Sequence, residues 1–71
     1  MSSNPFTPPV LRLHAVSQDP THPAFATFGV LYAAEALWDL YAELPLKAEA
    51  TLAQRRLEES VFWAVRAAGQ D

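Results

Sequence analysis

Three carboxylates, Glu35, Asp39 and Glu43, recur every four residues in an alanine- and leucine-rich segment, which places them on one face of a helix. Carboxylates so aligned can bind a divalent cation or act as an acid and a base. A metal site draws ligands from more than one element, however, and no histidine shares that face. The spacing is therefore read as a solvated face, or as one that meets Arg55, Arg56 or Arg66 across an interface. Further along, Arg55-Arg56 precedes Glu58-Glu59 at spacings that allow pairing on one helix surface, worth a few tenths of a kcal/mol. The same arginines have the donor geometry to hold a phosphate. His14 and His22 have no carboxylate or cysteine at metal-ligand spacing, so turn or surface roles are expected for them and no metal site. No Ser/His/Asp pattern or nucleophile motif is present, and two glycines in the whole chain leave little backbone to cradle a phosphate. The chain is expected to bind rather than catalyse, and to need no cofactor.

Composition narrows the partners. The chain has 71 residues, 51% of them hydrophobic and 18% charged, with no cysteine. This is one domain at most, without disulfides or cysteine-based zinc sites. A net charge of -3 argues against a DNA or RNA polymer, whose binders carry a basic excess. A small phosphate ligand is compatible with it, since two or three well-placed cations suffice. No apolar run approaches the ~18 residues of a membrane span. The start MSSNPFTPPV lacks the basic and apolar stretches of a signal peptide. A cytoplasmic location is the expectation.

These residues have to be positioned by few elements. Five of six prolines fall in the first 23 residues, so 1–22 reads as a proline-rich arm. Within it Val10 to His14 alternates as a strand would, with Leu11, Leu13 and Ala15 on one side, and favours extended backbone over 10–16. The competing reading is a short helix capped by Thr7 with Pro8 at its first position. A helical hairpin should occupy 23–71, with helices over about 23–44 and 46–68. Asp19-Pro20 and Thr21-His22-Pro23 are start signals for the first helix, and Pro45 ends it. Gly29 should weaken its early turns. In the second helix, Leu46, Ala50, Ala53, Leu57, Ala64 and Ala68 form an apolar stripe, and Gly69 should supply a left-handed stop. Val61 to Val65 is apolar around the whole helix circumference, and Val30 to Ala34 with Ala36 to Trp38 is nearly so. One hairpin cannot bury Trp38, Tyr41, Phe62 and Trp63 together. Folding of the arm over them would cover part of this surface. Self-association into a helical homo-oligomer is the stronger expectation.

Residues 50–64, ATLAQRRLEESVFWA, resemble the helical-hairpin domain of phage anti-defence sponges, which counter the CBASS and Thoeris immune systems of bacteria. The matching features are Leu57-Glu58-Glu59-Ser60, with Ser60 in the usual alanine position, and Phe62-Trp63-Ala64. Thr7-Pro8-Pro9 also looks like the lead-in of some relatives. The match covers about 20 residues well and the hairpin length approximately. The resemblance implies an all-α homo-oligomer, hexameric in the best-known branch, acting in the cytoplasm of the infected bacterium. It would bind a cyclic oligonucleotide or cyclic ADP-ribose-type messenger without cleaving it and so keep it from the host's effector. Relatives often carry an Arg-Glu pair before the second helix. Here Glu49 occupies the Glu position and Ala48 the Arg position, with Lys47 beside it. Others use an arm aromatic and a Lys on the first helix. This first helix has no Lys or Arg, and the arm offers Arg12 and His14.

The expected site follows. Arg12, Lys47, Arg55 and Arg56 are the candidates for phosphate contacts, and His14 or Tyr41 for base stacking, with Leu57, Phe62 and Trp63 assigned to packing. The alternative is a small helical protein-interaction or regulatory module with no nucleotide ligand, whose exposed aromatics meet a protein partner.

Overall fold

The computed structural model describes residues 4–69, and it is mostly helical, with no strand among them. Helix α1 (Thr7–Arg12) leads into a 3-10 helix (His14–Gln18), followed by α2 (Phe25–Ala42) and α3 (Lys47–Ala67). The two long helices pack against each other as a hairpin, and the arm folds along α2. No helix of the described residues is long and apolar enough to cross a membrane.

The extended backbone expected over 10–16 is not what forms. Asn4 Oδ1 accepts the Phe6 N–H (3.0 Å), making the tight turn that starts α1. Pro8 and Pro9 then fall in its first turn, where the missing N–H groups have no intrahelical partner to lose. Helical spacing buries Phe6 and Val10 four residues apart, and Val16 after them. Leu11, which a strand would have turned inward, is 68% exposed. Thr7 does not cap the helix either: its hydroxyl donates across to Glu35.

α2 opens at Phe25 rather than at 23, and neither Asp19 nor Thr21 caps it: Ala24 is the N-cap, without a side-chain cap bond, and the two expected start signals build the turn before the helix instead. The Thr21 hydroxyl and N–H donate to Asp19 Oδ1 at 2.7 and 3.1 Å, and the Ala24 N–H donates to His22 Nδ1 at 3.0 Å. The Thr21 hydroxyl first, and its N–H second, hold the Asp19 carboxyl below its ordinary range. A lowered folded-state pKa stabilises the turn above the unfolded value and is lost as pH falls through the folded one. A carboxyl NMR titration should accordingly place Asp19 below the ordinary range of an aspartate. Gly29 does not break α2. A Cβ there would meet nothing within 4 Å, so Gly29→Ala should stabilise the fold by about 1 kcal/mol in chemical denaturation.

Leu46 is the extended N-cap of α3, and Gly69 at φ 83° closes the helix, its N–H donating to the Arg66 carbonyl at 2.9 Å. The inward stripe is Ala50, Ala53, Leu57, Ala64 and Ala68, as the spacing predicts, with Val61 added as its most central large residue. Leu46 belongs instead to the exposed turn. Gln54 Nε2 donates to the Trp38 carbonyl (3.1 Å) and pins α3 to α2.

The core is Phe6, Val10, Val16, Ala24, Phe28, Leu31, Ala34 and Val61, flanked by Leu13, Val30, Trp38, Leu57 and Val65. Phe6 meets Trp38 edge-on at 5.9 Å, so the arm covers part of the aromatic surface that the hairpin cannot. Coverage stops there. Phe62 and Trp63 remain 56% and 58% exposed. The chain measures 40 × 21 × 14 Å, a slab little more than one helix thick. Its accessible surface of 5033 Å² exceeds the roughly 4,400 Å² expected of a compact monomer of this mass.

One buried polar group is left over. Thr27 is 4% exposed, and its hydroxyl has no hydrogen-bond partner among the described residues. Replacing the hydroxyl with a methyl of the same shape removes that desolvation cost. Thr27→Val should therefore raise stability by about 1 kcal/mol, read from the denaturation midpoint.

Candidate functional site

The carboxylate face of α2 is engaged by the arm. Asn4 Nδ2 donates to the Glu35 carbonyl (2.8 Å) and to Asp39 Oδ1 (3.1 Å), while Thr7 Oγ1 donates to Glu35 Oε2 (2.6 Å). Glu35 and Asp39 thus hold the arm in place and are not a simply solvated face. Glu43 lies beyond this network, exposed at the end of α2. Among the described residues, no group of three His, Asp or Glu side chains is placed to hold a metal ion.

The six expected ligand-binding residues fall in three separate places. Arg12 and His14 are exposed at the junction of α1 and the 3-10 helix. Tyr41, half-buried, and Lys47, exposed, flank the hairpin turn. Lys47 Nζ donates to the Ala42 carbonyl at 2.9 Å, which ties one helix end to the next and satisfies an end carbonyl of α2. Arg55 and Arg56 lie eight and nine residues further along α3, roughly 12 Å from Lys47 along the axis. Arg56 is paired with Glu59 at 3.4 Å, both side chains being largely exposed. Arg12 and Arg55 have no side-chain hydrogen bond or ion pair to another described residue.

Among the described residues, these cations therefore lie apart from one another along the chain. A cavity of about 250 Å³ opens at the hairpin turn, lined by Leu44, Pro45, Leu46, Glu49 and Ala50, and none of the six residues lines it. Its wall is apolar apart from Glu49, which suits a hydrocarbon side chain rather than a phosphate.

Sequence reasoning missed one cluster. The Arg66 guanidinium lies 5.8 Å from the centre of the Phe62 ring and 5.9 Å from that of Trp63, and the two rings meet edge-on at 5.1 Å. Spacings of three and four residues bring Arg66 over both aromatics. That spacing was readable in the sequence, where Arg66 figured as a partner for the acidic face of the first helix rather than as part of an aromatic cluster. The result is an exposed aromatic and cationic patch on the outer face of α3, the kind of surface on which planar groups stack. Comparison of the chain with protein-family models, with curated proteins and with solved structures returns no match.

Proposed function

We propose that this chain is the protomer of an oligomeric anti-defence sponge, which binds a cyclic oligonucleotide or cyclic ADP-ribose-type messenger in the infected bacterial cytoplasm and sequesters it uncleaved. The observation that supports the reading is the division of the surface. Arg12 and Arg55 and the exposed aromatics Phe62 and Trp63 lie on the outside of a thin hairpin, and among the described residues the cavity at the turn includes none of them. A site built between copies would bring such groups together, and a small anionic ligand would add the attraction that joins them. The resemblance of residues 50–64 to the sponge hairpin supplies the ligand class. Arg12 and Arg55 are the leading phosphate contacts, because the other candidates on the same elements are partly occupied: Lys47 by the Ala42 carbonyl and Arg56 by Glu59. Tyr41 and His14 remain the stacking candidates.

A sponge releases what it took up. Loading the protein with a cyclic nucleotide that it binds, denaturing it and weighing the released ligand by mass spectrometry should return the intact cyclic species. A linearised product would identify an enzyme and overturn the reading.

One observation favours the alternative of a protein-interaction module without a nucleotide. The apolar cavity at the turn, beside exposed Leu40, Leu44 and Leu46, would accept an apolar side chain of a protein partner. On that reading, mutations at the turn abolish partner binding and the arginines are dispensable.

A further inference from the structure

We infer that α3 docks antiparallel on α3 of a second copy, about a two-fold axis that passes between positions 57 and 58. The inference deepens the oligomer of the proposed function and rests on that part of it, while requiring no nucleotide.

An exposed face of α3, flanking its buried stripe, carries Glu49, Leu52, Arg56, Glu59, Trp63 and Arg66. These alternate at three- and four-residue steps, the period of a coiled-coil seam. All six are exposed in the single chain, including Leu52 at 52% and Trp63 at 58%. An antiparallel two-fold that matches residue n with residue 115 − n pairs every one of them with a complement. Glu49 meets Arg66 of the partner, Leu52 meets Trp63, and Arg56 meets Glu59, and each pair occurs twice. The face is therefore complementary to itself in charge and in hydrophobicity, as an isologous interface requires. In a parallel in-register pairing each residue would meet its own like, with Arg56 against Arg56 and Glu59 against Glu59.

The local structure prepares this contact. Arg56 and Glu59 already pair within one chain at 3.4 Å, so the two-fold joins two such pairs into a four-charge network at its centre. The network lies between two layers in which a leucine packs on an indole. Phe62, next to the seam, extends each apolar layer, and Arg66, lying over both rings, can face Glu49 of the partner from where it is. Arg56 becomes an interface residue in this arrangement. Arg55 stays at the rim, open to a ligand.

Charge reversal tests the register. In the wild type, sedimentation and light scattering should give a dimer or an even multiple of it. Arg56→Glu sets the introduced glutamate against Glu59 of the partner twice over, and should weaken the dimer on the order of a hundredfold. The double variant R56E/E59R restores the complement and should restore the mass. Circular dichroism checks that each variant stays helical, since the lost intrachain pair is worth only a few tenths of a kcal/mol. As a second measurement, L52C/W63C places thiols roughly 16 Å apart within one chain. It should oxidise to a covalent dimer, while neither single variant does. A monomeric wild type, an Arg56→Glu variant of unchanged mass, failure of the swap to restore the mass, or cross-linking by W63C alone would each overturn the interface. Nucleotide binding by a monomer would remove the interface and leave ligand recognition standing. A dimer that binds no nucleotide would do the reverse.

Discussion

Phe6→Ala should lower the stability of the chain by about 3–5 kcal/mol, the cost of truncating a buried phenylalanine. Few other single changes would cost as much. Phe6 is 6% exposed and reaches Trp38 edge-on at 5.9 Å, and it joins α1 to the core of the hairpin. A chain of 71 residues has only roughly 4–10 kcal/mol of stability in total, so the loss is a large share of it. The arm should then detach from α2, uncovering Trp38 and leaving Glu35 and Asp39 without Thr7 and Asn4. Chemical denaturation followed by tryptophan fluorescence reads both effects, as a lower midpoint and a red-shifted native emission. It should be run at fixed protomer concentration, because association adds to apparent stability. Leu11→Ala is the matched control. Leu11 is exposed, and its truncation should shift stability by no more than about 0.5 kcal/mol. Equal effects of the two substitutions would mean that the arm is an appendage and not part of the core.

The double substitution of Arg12 and Arg55 by alanine should weaken messenger binding on the order of a hundredfold, and each single substitution on the order of tenfold. A guanidinium bonded to phosphate in a partly dehydrated site makes a charge-assisted bond, and two such bonds in separate elements should add. Both side chains are exposed and have no side-chain hydrogen bond or ion pair to another described residue, so their loss should leave helicity and oligomer mass unchanged. Lys47→Ala makes an instructive contrast. Its ammonium already bonds the Ala42 carbonyl, and its removal frees the hairpin turn as well as any phosphate it touches. Lys47→Ala should therefore lower stability and affinity together, whereas the arginine variants lower affinity alone. Calorimetry beside thermal melts separates the two patterns.

The long helices were legible because their signals are local. Pro45 stops α2, Gly69 takes the left-handed turn after α3, and the alanine and leucine stripe of α3 faces inward where its spacing puts it. The arm was not legible for the opposite reason. Its short alternation mimics a strand, and the contacts that decide for helix are remote in sequence: Phe6 on Trp38, Thr7 on Glu35 and Asn4 on Asp39. Those same contacts overturn the reading of Glu35 and Asp39 as a free acidic face. The expected deficit in burial can be placed on particular residues, since Trp38 finds Phe6 while Phe62 and Trp63 meet each other and Arg66 and stay more than half exposed. Each candidate ligand residue could be assigned to an element from the sequence. Their meeting could not, because it depends on how one copy lies against another, and helical periodicity describes only the faces that a copy offers.

The most direct test of the account is calorimetric titration of the full chain with a panel of cyclic dinucleotides, cyclic trinucleotides and cyclic ADP-ribose isomers. A shared-site sponge should give saturable heat with at least one of them, at fewer than one ligand per chain because copies share each site. A well-folded oligomer that gives no heat with any member of the panel would contradict it.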